Sequence, residues 1–258
     1  MKKLTKKLIG SMVSALVLVP TLGMANEYQA VEDKLKKTFT NFTATYIQEA
    51  PVKGLYEIHT TDNIIYFSPE SETMIFGRIF NKDGIDLTQK SLAQATKKRM
   101  EDAGSSLQSL FDKALVLGEG GDIKLTIFTN PDCPYCQQAD EWLKQVETAK
   151  NIKIEKHMIF LSTPRFADSD SKIRHIICSD DKDATYSNIQ QIPKEIRRNC
   201  DEADDILKAH NDLVSFFGVN GTPSFLLDNG EIIGGLDRKR LSDVIDELTK
   251  KMEISNNE

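Results

Sequence analysis

The apolar residues change their spacing several times along the chain, and each change marks a segment. Leu8 to Val19 is a nearly unbroken apolar run that follows Lys2, Lys3, Lys6 and Lys7. At 12 residues it is shorter than a bilayer-spanning helix, which needs ~20. A basic start, a short apolar stretch and the small residues Gly23 and Ala25 predict a signal peptide over 1–25, cleaved after Ala25.

From Tyr28 to Phe42 the apolar positions Val31, Leu35, Phe39 and Phe42 recur at a helical period. Three strand-like runs follow, Leu55 to His59, Ile64 to Phe67 and Met74 to Phe80, separated by the turn-rich stretches 61–63 and 68–72. Residues 26–85 therefore predict a small α+β unit, one helix on a three- or four-stranded antiparallel sheet. So thin a fold buries little apolar surface. A second copy pairing with it would extend the sheet and complete the core, so this unit is expected to dimerise.

Residues 86–121 read as a linker helix and loop. Lys82-Asp83-Gly84 makes a turn, Thr88 is a candidate cap for a helix from Gln89, and 91–100 is polar with few apolar positions. Such a helix has no full core-facing stripe and is expected to connect. Gly104-Ser105-Ser106 predicts a bend, Leu107, Leu110, Phe111 and Leu115 resume helical spacing, and Gly118 to Gly121 predicts a flexible loop.

Residues 122–258 alternate strand and helix patterns. Ile123 to Phe128 is a buried strand, Gln137 to Lys150 a helix, and Ile152 to Leu161 a second strand. Asp170 to Asp183, Tyr186 to Gln191 and Asp201 to Phe217 are helical. Ser224 to Leu227 and Glu231 to Ile233 flank an Asp228-Asn229-Gly230 hairpin turn, and Asp237 can cap a last helix carrying Leu241, Val244, Ile245 and Leu248. The order predicts an α/β domain with a helical insertion.

Charge narrows the partners. Loss of the four lysines in 1–25 takes the net charge from −6 to −10, which argues against nucleic acid. No later stretch is apolar enough to insert into a membrane, so an exported chain with no membrane insertion after signal cleavage is expected. Four cysteines in such a chain suit disulfide chemistry. They allow three connectivities, of which Cys133–Cys136 with Cys178–Cys200 is the most natural.

Cys133-Pro134-Tyr135-Cys136 lies at the strand-to-helix turn, where a dithiol redox site needs it. Unpaired N–H groups and the helix dipole would stabilise a Cys133 thiolate, the attacking species in disulfide exchange. Cys136, one turn later and less exposed, suits the resolving role. Pro134 fits the first helical turn. Asp132 adds a negative charge beside Cys133 and is expected to oppose the thiolate. A structural bridge or half of a zinc site is also open to this spacing. Zinc needs two more ligands at short spacing, however, and Cys178 and Cys200 lie 22 residues apart with no nearby histidine pair. Cys178–Cys200 is expected to be a structural disulfide, with a second exchange pair as the alternative. Thr222-Pro223, at the start of a strand, is a candidate cis bond that would present its backbone to an extended peptide. His59, His157, His175 and His210 are scattered and expected to be packing or surface residues, and Trp142 to pack.

Together, Phe128 to Cys136, Gly218-Val219-Asn220-Gly221-Thr222-Pro223, and the N-terminal unit with its linker make the chain resemble the DsbC/DsbG family of periplasmic disulfide isomerases. The resemblance covers essentially the whole mature chain. It implies a cystatin-like N-terminal dimerisation domain, a linker helix and a thioredoxin-like catalytic domain, assembled as a V-shaped homodimer in the periplasm. It implies that Cys133 is the nucleophile and Cys136 resolves, that Pro134 and Tyr135 tune them, and that Thr222 and Pro223 bind substrate. It implies chemistry that needs no cofactor and no metal. The substrates would be misfolded or oxidised exported proteins, and a membrane thiol reductase of the DsbD type would keep the pair reduced. Pro134-Tyr135 and the long connector look like DsbG, whose members are associated with reducing sulfenic acids on single cysteines. The Cys178/Cys200 pair looks like DsbC. An oxidase and a holdase chaperone are further alternatives.

Overall fold

The computed structural model describes residues 22–40, 44–61, 63–163 and 165–255. The charged and apolar parts of the expected signal peptide lie outside the described residues, as does Phe42. Among the described residues no helix is long and apolar enough to cross a membrane.

The N-terminal part places helix α1 (Leu22–Thr38) on an antiparallel sheet of β1 (Tyr46–Glu49), β2 (Tyr56–His59), β3 (Ile64–Ser68) and β4 (Thr73–Ile75), in that order. Val31 and Leu35 from α1 meet Ile47, Ile58 and Phe67, and Phe39 packs edge-on to Phe67. Strand β1 escapes sequence reading because only Ile47 in it is buried. The third expected run, 74–80, is strand only to Ile75, and Phe76 is 70% exposed.

Helix α2 (Leu87–Phe111) is capped by Asp86, whose carboxylate accepts from the Gln89 N–H, and not by Thr88. Thr88 is buried: its Oγ1 accepts the Ile79 N–H and bonds the Tyr66 hydroxyl. Ser91 donates to Glu57, which also accepts from Gln48 and faces His59. The start of α2 thus covers the second face of the sheet. It does so through polar contacts, so hydrophobic periodicity could not reveal them. The expected bend is present at Gly104, at φ 50° and ψ −125°.

The second part is a five-stranded mixed sheet ordered β5 (Leu115–Leu117), β7 (Ile154–Phe160), β6 (Ile123–Thr129), β8 (Ser224–Leu226) and β9 (Ile232–Gly234). Only β6 and β7 run parallel, joined through α3 (Pro134–Lys150). Leu115 therefore belongs to a strand and not to the preceding helix, which ends at Phe111. α3 and α7 (Arg238–Ser255) cover Leu125, Ile127, Met158 and Phe225, while α6 (Glu202–Phe217) and the end of α2 cover Phe128, Ile159 and Leu226. The glycine loop is closely fitted: a Cβ on Gly121 would lie 2.5 Å from the Glu155 nitrogen. The Gly118 and Gly120 N–H groups are taken by Asp183 and Glu155.

The insert between β7 and α6 holds α4 (Ser169–Ile177), α5 (Lys182–Asn188) and two short 3-10 turns. The continuous helix expected over 170–183 breaks after Ile177, because Asp181 starts α5 by accepting the Ala184 N–H. Cys178 and Cys200 are disulfide-bonded, with Cα atoms 5.9 Å apart.

Candidate active site

The turn after β6 is built by side chains folding back on backbone. Buried Asn130 donates its amide to the Leu161 carbonyl (2.7 Å) and accepts the Asp132 N–H on its Oδ1 (2.8 Å). The Cys133 N–H donates to the Asn130 carbonyl. Cys133 is then the N-cap of α3, extended at φ −78°, ψ 119°, and Pro134 is the first helical residue. Pro134 has no N–H to leave unpaired there. The N–H groups of Cys136 and Gln137 both donate to the Cys133 carbonyl.

Cys133 and Cys136 carry no disulfide, and both are buried. The Cys133 thiol lies 3.4 Å from the Thr222 carbonyl oxygen, and the Thr222–Pro223 bond is cis. The two sequence-distant motifs therefore meet. Tyr135, between the cysteines, is 64% exposed at the mouth of the site.

The two thiols differ in acidity. Burial works against a Cys133 thiolate, but hydrogen bonds from the Thr222 side chain, from Cys136 and from the Tyr135 N–H outweigh it, and Cys133 lies below the ordinary thiol value. Burial pushes Cys136 up to about 11 despite the Thr129 and Thr222 hydroxyls. Behind Cys136, Tyr186 donates to Asp140 at 2.7 Å, and burial raises both groups.

Asp132 has a partner that the sequence does not reveal. Its carboxylate is ion-paired with Lys172 from α4, so the charge beside Cys133 is not free. Gln190 and Gln137 donate to the Pro131 carbonyl at 2.5 and 2.9 Å. None of these partners stands out by motif. The one available signal is that Lys172 borders the buried stripe Ile173, Ile176 and Ile177 of α4. The histidines are dispersed: His59 lies by Glu57, His157 by Glu155, His175 accepts from the Arg198 N–H, and His210 bonds Phe160 and Lys113.

Residues 23–89 match the disulfide bond isomerase protein N-terminal domain family, and residues 111–249 match the thioredoxin-like domain family. The chain belongs to the DsbC-like family of the thioredoxin superfamily. Among its relatives, the thiol:disulfide interchange protein DsbC of Pasteurella multocida is 24% identical over 95% of this chain and 100% of that protein. DsbC of Escherichia coli K12 is 25% identical over 79% of this chain and 82% of that protein. A solved disulfide interchange protein from Neisseria gonorrhoeae aligns at 22% identity and TM-score 0.42, covering 54% of this chain and 97% of that one. Within this family the chain is a thiol–disulfide oxidoreductase, and its N-terminal unit and thioredoxin-like domain follow the order that family membership entails.

Proposed function

We propose that this protein is a periplasmic thiol:disulfide interchange enzyme that reduces or isomerises non-native disulfides in exported proteins. The Cys133 thiolate attacks one sulfur of a substrate disulfide. A Cys133–substrate bond forms, the substrate S–S bond breaks, and the second sulfur leaves as thiolate. If another substrate thiolate attacks the mixed disulfide, Cys133 is released and the substrate is isomerised with no net electron transfer. If Cys136 loses its proton and attacks Cys133, the substrate departs reduced and Cys133–Cys136 closes as a disulfide. A membrane thiol reductase of the DsbD type then returns two electrons. Thr222 and Pro223 hold the substrate backbone beside Cys133, and Pro134 and Tyr135 tune the pair.

The observation that carries this reading is the asymmetry of the pair. One thiol is favoured as thiolate at a helix N-cap beside a cis-proline loop, and the other, a turn deeper, is held protonated until it resolves. The similarity to thiol:disulfide interchange proteins supports the interchange chemistry. The protein would act as a homodimer through β4, an edge strand beside exposed Ile75, Phe76, Phe80 and Ile85. The test is Cys136→Ala, expressed with its own leader, with capture of proteins left disulfide-linked to Cys133. Exported proteins with several cysteines are expected. Partners with a single cysteine would point to sulfenic-acid reduction instead. Capture of nothing by a free, reactive Cys133 would remove the interchange reading.

A further inference from the structure

The insert between β7 and α6 reaches back to the active-site turn and buries a charge there. Lys172 is 8% exposed. Its ammonium pairs with Asp132, the residue before Cys133, and donates to Gln190 Oε1 at 2.7 Å. The Gln190 amide continues to the Pro131 carbonyl. A lysine with so little water access needs a partner, because an uncompensated buried ammonium is costly. The carboxylate it has found is covalently next to the reactive thiol.

We infer that Lys172 is a positioning residue for the nucleophile: it takes up the Asp132 charge and, through Gln190, fixes the turn that presents Cys133 on the α3 N-terminus. An unpaired carboxylate at that place would oppose the thiolate that the helix terminus favours. The other charges near this group are already engaged. Asp168, just before α4, is held by Arg197 (2.7 Å) and Lys194 (3.8 Å) and also feels the Lys172 charge. On the α3 side Asp140 is bonded to Tyr186, which faces Cys136. Lys172 therefore sets the charge balance of residue 132, and it does so from an element 40 residues away in the chain.

The inference rests on the reading of Cys133 as the nucleophile, and one experiment separates the two. The reduced full-length mature protein is alkylated with iodoacetamide across a pH series, and Cys133 modification is followed by peptide mass. In the unaltered protein Cys133 should react with a midpoint below that of an ordinary thiol. If it does not, the nucleophile reading and the inference both fall. Lys172→Met should raise the midpoint by about one pH unit, about a tenfold rate loss on the acid side. Asp132→Asn should lower it, and the double variant should return close to the unaltered protein. A Lys172→Met protein that melts earlier but keeps its midpoint would make Lys172 merely structural and overturn the inference. If Lys172→Met does not fold, Asp132→Asn decides alone: a lower midpoint supports the inference and an unchanged one overturns it.

Discussion

His210 ties acid sensitivity to the core of the catalytic domain. It is fully buried on α6, and both ring nitrogens are used. Nδ1 accepts the Phe160 N–H at 3.2 Å, and Nε2 donates to the Lys113 carbonyl at 3.0 Å. Only the neutral Nε2–H tautomer makes both bonds. Burial lowers its pKa from 6.5 to about 4. Because the folded value is depressed, the unfolded chain takes the proton first. The contribution is complete above pH 6.5 and is lost as pH falls through the folded value of about 4. At about 1.4 kcal/mol per pH unit, that gap corresponds to about 3 kcal/mol. The assay is urea unfolding followed by fluorescence of Trp142, the sole tryptophan, which packs on the catalytic core. His210→Gln should cost about 1–3 kcal/mol near neutrality, because it disturbs buried partners. Below pH 6.5 the unaltered protein should lose stability faster than the variant, so the difference shrinks by up to about 3 kcal/mol as pH falls to about 4. His175, lowered mainly by burial, and Asp140, raised by burial, also titrate, but they do so in both proteins and cancel in the difference. A stability difference that stays constant across this window would refute the reasoning.

Two further outcomes follow from the architecture. Replacing Cys178 and Cys200 together by serine opens a loop of 22 residues' separation. It should lower catalytic-domain stability by about 3 kcal/mol, read from the same fluorescence transition. Ile75→Asp with Phe76→Asp places charge along the β4 edge and should convert a dimer to a monomer in sedimentation with unchanged circular dichroism. An unaltered protein that sediments as a monomer would remove the dimer from the proposal.

What could be read from the sequence was local. The Cys133–Cys136 turn and the Thr222-Pro223 strand start each depend on a few adjacent residues, and both appear where the pattern puts them. The same holds for α6 and α7, whose apolar stripes are clean. Failures came where partners are polar or distant. The start of α2 meets the sheet through Thr88 and Ser91, which carry no hydrophobic period, so this packing is not legible in the sequence. Leu115 continues the spacing of Leu107, Leu110 and Phe111, yet its neighbour in space is Met158 of β7, and pairing across the sheet overrides a short helical pattern.

The ion pair at Asp132 is the most instructive case, because it changes a magnitude and not a sign: the carboxylate beside Cys133 still opposes the thiolate, and Lys172 offsets it. Sequence adjacency guarantees that a carboxylate stands near Cys133, but it says nothing about the cation that faces it, and at these distances the partner decides the net field. The trace of that partner was present in α4 as a lysine beside Ile173 and Ile176 on the buried side. Lysine is rarely buried without a partner, so a lysine on an apolar stripe implies a carboxylate on the element it packs against. Here the insert packs against the end of β6, where Asp132 is the carboxylate at the active-site turn. This need for a partner explains why the insert, closed by Cys178–Cys200, can influence a cysteine it does not contain.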